Sequence, residues 1–113
     1  MTAGRSVLAC AALGLGFASG PANWSLINTF HIAGEGGWDY VTVAPKTHRL
    51  YVTRSTHTQV IDPASGTVVA DIPGQRRSHG VALVPKAGRG FISDGGGSGA
   101  IVIFDLETNA ATP

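Results

Sequence analysis

Beyond residue 22 the apolar positions fall into short runs broken by turn residues, and no stretch keeps the 3.6-residue spacing of a helix. The first set of runs predicts four strands, Trp38–Ala44, Arg49–Thr53, Gln59–Asp62 and Thr67–Ile72. They are rich in Val, Ile, Tyr and Thr, the β-branched and aromatic residues that suit a pleated, half-buried surface. "PKTH" (45–48) and "PKAG" (85–88) mark hairpin ends, because proline cannot donate within a ladder.

The pattern then repeats. "HIAGEGGWDYVTVAPKTHRLYVTR" (31–54) aligns without a gap on "DIPGQRRSHGVALVPKAGRGFISD" (71–94), forty residues on. Ile32 falls on Ile72, Gly34 on Gly74, Val41 on Val81, Pro45 on Pro85 and Arg49 on Arg89. Three extra residues in "DGGGSG" (94–99) follow, and the match resumes with "VIDPASGTVV" (60–69) on "IFDLETNAAT" (103–112). Within it Asp62 and Asp105 each open a turn where a carboxylate accepts backbone N–H groups. Gly66 and Asn109 share the next special position, and both residue types tolerate positive φ.

A unit of about 40 to 45 residues with four strands is the size of one β-propeller blade. The fold class expected is therefore all-β. It is a partial propeller with two four-stranded antiparallel blades, one over about 38–72 and an incomplete second over about 78–113. "WSLINTFHI" (24–32) aligns with the segment ending at Ile72, so it is expected to be an outer strand of a preceding blade.

Composition changes the picture at the N-terminus. Arg5, an apolar run from Val7 to Phe17 and small residues to Ala22 describe a signal peptide over 1–22, with cleavage after Ala18 or Ala22. That places the protein in the periplasm or outside the cell, with no membrane association after cleavage. The apolar run is shorter than the roughly 20 residues of a spanning helix. Cys10, the single cysteine, follows only nine residues, too few for a lipoprotein leader, and the exported chain carries no disulfide framework. Without Arg5 the seven basic residues balance the seven acidic ones, which leaves no footprint for general nucleic-acid binding.

"LYVTR" (50–54) is close to a Tyr-Val-Thr-Asn signature, with Arg54 in the asparagine position. With "VIDPASGTVVADIPG" (60–74) and "HGVALVPKAGRGFISDGG" (79–96), it resembles the YVTN-repeat, YncE-like family of secreted β-propellers over about residues 24–112. The resemblance implies a seven-bladed propeller with ligand-facing loops on one rim. It also implies relatives that bind single-stranded DNA, act as lactonases or serve periplasmic redox enzymes. Function sits on the loops rather than the fold.

Blade geometry sends the loops before the inner strands and those between the second and third strands to one rim. Its ligand-binding candidates are Trp38, Asp39, Arg54, His57, Arg76, Arg77, His79 and Asp94. Arg54, His57, Arg76, Arg77 and His79 form a cationic set suited to a carboxylate or phosphate. Competing with this are solvated loop charges at Arg76 and Arg77, a structural hydrogen bond at His79, and packing between blades at Trp38. No close-spaced ligand motif supports a metal, and no cofactor is expected. "DGGGSG" lacks the Gly-Lys-Ser/Thr and the helix of a phosphate loop, and Ser78 beside His79 is not a triad, so no catalytic residue is assigned.

The expected function is a non-catalytic binding scaffold. Its partners would be an anionic ligand or single-stranded DNA at the rim, and further blades from the same or another chain. The alternatives are a remnant of a propeller enzyme (a lactonase-like hydrolase or a periplasmic redox subunit) and a fragment with no independent function.

Overall fold

A computed structural model describes residues 23–112. The expected signal peptide lies outside the described residues. Eight strands run β1 (Val41–Ala44), β2 (Arg49–Arg54), β3 (His57–Asp62), β4 (Thr67–Ile72), β5 (Ser78–Val84), β6 (Arg89–Asp94), β7 (Ala100–Asp105) and β8 (Ala111–Thr112). They form two four-stranded antiparallel sheets, β1–β4 and β5–β8, each in sequence order. This is the two-blade, all-β architecture of an open partial propeller, and its second blade is incomplete, with an outer strand of only two residues.

The repeat holds at the level of hydrogen-bond register. Val41 opposes Val52 and Thr42 opposes Tyr51 in the first sheet. Forty residues on, Val81 opposes Ile92 and Ala82 opposes Phe91. The turn chemistry matches as well. The equivalent residues His48 and Gly88 both have positive φ, as do Gly66 and Asn109. Asp62 accepts the Ala64 N–H at 2.9 Å and pairs with Arg49 at 3.0 Å. Asp105 accepts the Glu107 and Thr108 N–H groups at 2.9 Å and pairs with Arg89 at 3.1 Å.

The core lies between the sheets. Tyr51, Val60 and Ile72 from one sheet meet Ile92 and Phe104 from the other. The Tyr51 and Phe104 rings sit 5.5 Å apart and tilted by 39°. Burial of these groups supplies most of the attraction between the blades, at about 25 cal/mol per Å² of apolar surface. One compensation shows how two unequal repeats fit one geometry. Leu50 opposes Ile61 in the first sheet, and their equivalents Gly90 and Phe104 oppose each other in the second. The larger ring occupies the volume that the missing side chain vacates, and a Cβ at Gly90 would run into it.

Two expectations change. The first regular ladder begins at Val41 rather than Trp38: Asp39 and Tyr40 still bond to the Thr53 main chain at 3.2 and 3.3 Å, but the Tyr40 N–H also reaches the His79 carbonyl of the other sheet at 3.3 Å. Residues 24–32 form no strand: a strand exists only through a partner, and no strand lies beside them among the described residues. No helix among the described residues is long and apolar enough to cross a membrane.

Candidate ligand-facing rim and inter-blade junction

One end of both sheets gathers the segments 34–40, 54–57, 72–78 and 94–100, which carry the sequence-derived candidates. At the repeat position shared by Arg54 and Asp94, opposite charges solve one problem. Both side chains are turned onto the loop that enters the inner strand.

Arg54 is 8% exposed. Its guanidinium donates to the Gly34 carbonyl at 2.7 Å, the Gly36 carbonyl at 3.1 Å and the Gln59 Oε1 at 3.0 Å. The planar fork reaches three separated acceptors at once, one from each of its nitrogens. Gly36 has φ of 84° and sits so close to the Arg54 carbonyl that no side chain fits there.

Asp94, also buried, accepts N–H groups from Arg76 at 2.9 Å, Arg77 at 2.7 Å and Gly96 at 3.0 Å. The Gly96 N–H above all, helped by those of Arg77 and Arg76 and by the Arg76 charge, holds the Asp94 carboxyl below its ordinary value of 3.8. Backbone N–H groups, led by that of Ala64 at Asp62 and that of Thr108 at Asp105, lower these two carboxyls as well.

A carboxyl whose folded pKa lies below its unfolded one stabilises the fold above the unfolded value, and that contribution is lost as pH falls through the folded pKa. The chain is therefore expected to lose stability progressively below about pH 4. Asp94→Asn should flatten part of that acid limb, with the Tm at neutral pH lowered. Thermal melts by circular dichroism across about pH 2 to 7 check this; parallel curves for the two proteins would exclude the role given to Asp94.

The remaining candidates divide clearly. His79 Nδ1 lies 2.7 Å from an Asp39 carboxylate oxygen, joining the two loops across the blade junction, and both side chains stay partly exposed. His57 leans away from the rim toward the outer strand, its Nε2 3.6 Å from Asp71 and its Nδ1 3.1 Å from the Thr56 hydroxyl. Trp38 does not pack between the blades. It is 75% exposed and borders a cavity of about 260 Å³ on the outer face of the first sheet. Arg76 and Arg77 are exposed, and neither guanidinium enters a hydrogen bond or ion pair among the described residues. The structure thus brings Asp39 to His79 and Asp94 to the Arg76–Arg77 backbone, and it withdraws Arg54 and His57 from the cationic set. No cluster of three or more metal-ligating side chains forms among the described residues.

Sequence reasoning passed over the residues that carry the junction. The Thr53 hydroxyl donates to the His79 carbonyl at 2.7 Å and accepts the Tyr40 N–H at 3.2 Å, so one buried group ties both sheets. Its equivalent, Ser93, accepts the Gly80 N–H at 3.0 Å in the second sheet. The signal was present as a hydroxyl repeated forty positions apart. Gln75 gave no such signal, because its equivalent is Glu35. It is buried, accepts the Thr58 hydroxyl at 3.0 Å and donates to the Ile72 and Pro73 carbonyls. At the opposite end, a cleft of about 660 Å³ opens between the Pro45–Thr47 turn and Pro85, bordered by Tyr51 and Leu106.

Neither family models nor curated proteins give a match to the chain.

Proposed function

We propose that this protein is a non-catalytic interaction scaffold, a propeller repeat segment whose free blade faces receive further blades. The observation that carries the reading is a contrast between equivalent positions. Thr58, Val60 and Ala44 are 0%, 1% and 9% exposed under the second sheet, whereas their equivalents Ile101, Ile103 and Val84 are 60%, 38% and 41% exposed. The second sheet thus presents an apolar face of the kind the first sheet buries, and the larger side chains make the contrast stronger. Exposed apolar patches of this kind mark association surfaces. The rim adds a second element: the free guanidinium groups of Arg76 and Arg77 beside the backbone cradled by Asp94 suit a phosphate or carboxylate ligand, including single-stranded DNA.

The test is sedimentation and melting of the chain at several concentrations. Association that strengthens with concentration is expected, and Ile103→Lys should abolish it because a charge cannot be stacked between apolar sheets without a partner. A sharp, concentration-independent melt of a monomer, unchanged by Ile103→Lys, would end the reading.

A further inference from the structure

The cleft at the end away from the rim lies between the two sheets, and every residue lining it falls within 42–107. The first sheet and its turn contribute Ala44, Pro45 and the Tyr51 ring, and the second contributes Leu83, Pro85 and Leu106. A volume of about 660 Å³ with a largely apolar lining is that of a small-molecule site. The walls are set before any ligand arrives. Proline fixes φ in both turns, and the Gly88 carbonyl accepts the Leu106 N–H at 3.0 Å, which ties two turns of the second sheet together. Part of the space comes from a difference between the repeats. Where the first hairpin carries His48 the second carries Gly88, both with positive φ, and no atom stands within 4 Å of where a Gly88 Cβ would be.

The Tyr51 hydroxyl supplies a polar anchor inside this apolar space. Tyr51 is 3% exposed, and its one side-chain hydrogen bond among the described residues runs to Asn109 Oδ1 at 3.4 Å. That is longer than the about 2.5–3.0 Å of an ordinary O–H···O bond. Both ends are held in place. The Tyr51 ring packs on Phe104 at 5.5 Å, and Asn109 occupies the positive-φ corner of its turn with its N–H on the Asp105 carbonyl at 2.9 Å. Burial, opposed in part by the Arg49 charge, pushes the Tyr51 hydroxyl above its ordinary value of 10.0, so it keeps its proton. The equivalent residue, Phe91, has no hydroxyl, so strand pairing at this repeat position does not require one. A buried donor with so long a bond gains from a closer acceptor.

The charges around the cleft select against an ionised ligand. Lys46 and Glu107, from different sheets, border it with opposite signs, and Asp105 is paired with Arg89 at 3.1 Å. An anion drawn to Lys46 would meet two carboxylates, and a cation drawn to Glu107 would meet Lys46. A neutral molecule avoids both, and two facing apolar walls suit a flat ring system.

We infer that this cleft binds an uncharged, flat aromatic molecule bearing a carbonyl, whose oxygen accepts the Tyr51 hydroxyl. The inference goes beyond the scaffold reading, because it uses the opposite end of the blades and requires no second chain.

The test titrates the nitrogen-labelled full-length chain with acetylnaphthalene and with its isopropenyl isostere, in which a methylene replaces the carbonyl oxygen. The ketone should shift amides within 44–47, 83–88 and 105–107 and leave those of Arg76 and Arg77 in place. It should bind roughly tenfold more tightly than the isostere, the effect of one hydrogen bond from a buried donor. Tyr51→Phe should abolish that preference by weakening the ketone alone. Equal affinity of the two probes for the unsubstituted chain overturns the inference, whatever the variant does, and leaves an apolar crevice without an anchor. A preference that survives Tyr51→Phe assigns the carbonyl to another donor and overturns it too. Shifts scattered over the sheet faces, or none at the solubility limit of the ketone, overturn it as well.

Discussion

Phe104→Ala is expected to produce the largest loss of stability of any single truncation in the chain, about 3–5 kcal/mol on the scale of buried Phe deletions. The ring is fully buried and meets Tyr51 across the junction. The upper half of that range applies because the residue opposite is Gly90, which has no side chain to collapse into the vacated space. A domain of this size holds roughly 5–15 kcal/mol, so this one truncation removes a large share of the total. Urea unfolding followed by far-ultraviolet circular dichroism measures the change; tryptophan emission is a poor probe because Trp24 and Trp38 are both exposed. Phe104→Leu should fall well short of the alanine loss. A cost under about 1 kcal/mol for the alanine variant would mean that the junction is not a packed core.

The second large effect separates holding the fold from holding a ligand. Arg54→Ala removes three charge-assisted hydrogen bonds from a buried guanidinium, and charged hydrogen bonds contribute about 1.5–3 kcal/mol each before solvent compensates the freed carbonyls. Because Gly34 and Gly36 lie in an exposed loop that water can reach, the expected net loss is about 2–3 kcal/mol. Limited proteolysis should report it as faster cutting within 33–37. Arg54→Lys should recover only part of the loss, for want of the planar fork. The double variant Arg76→Ala/Arg77→Ala should behave in the opposite way. Its Tm should stay within a degree or two, since exposed, unpaired charges contribute little. Retention of a single-stranded oligonucleotide at low salt should fall if the rim takes an anion. Equal loss of stability in both variants would show that the rim was divided wrongly between Arg54 and the Arg76–Arg77 pair.

How far the site could be read in advance depended on whether a residue's partner was local or distant. Asp62 and Asp105 bind N–H groups two or three residues away, and their role was legible from the turn alone. Arg54 bonds to carbonyls 18 and 20 residues back, so its charge was visible while its use was not. His57 looked like a rim residue by its place in a hairpin, but Asp71 on the adjacent strand draws it sideways. Gln75 had neither charge nor repeat echo to mark it, and only burial makes it a hub of hydrogen bonds.

By itself the amino-acid sequence determined the strands, the turns and the fact that they come twice, because β-propensity, proline position and positive-φ residues act within a few residues of one another. The forty-residue spacing also carried the register, since equal strand and turn lengths close equal hairpins. Only the tertiary structure decided which of two equivalent faces is buried and which is left open. A lone blade has two similar apolar faces, and the difference between Val60 and Ile103 arises solely from what is stacked upon them. The same holds for residues 24–32. Their side chains specify a strand, but a strand is a relation between two chains of backbone, and the partner is set by packing rather than by local sequence.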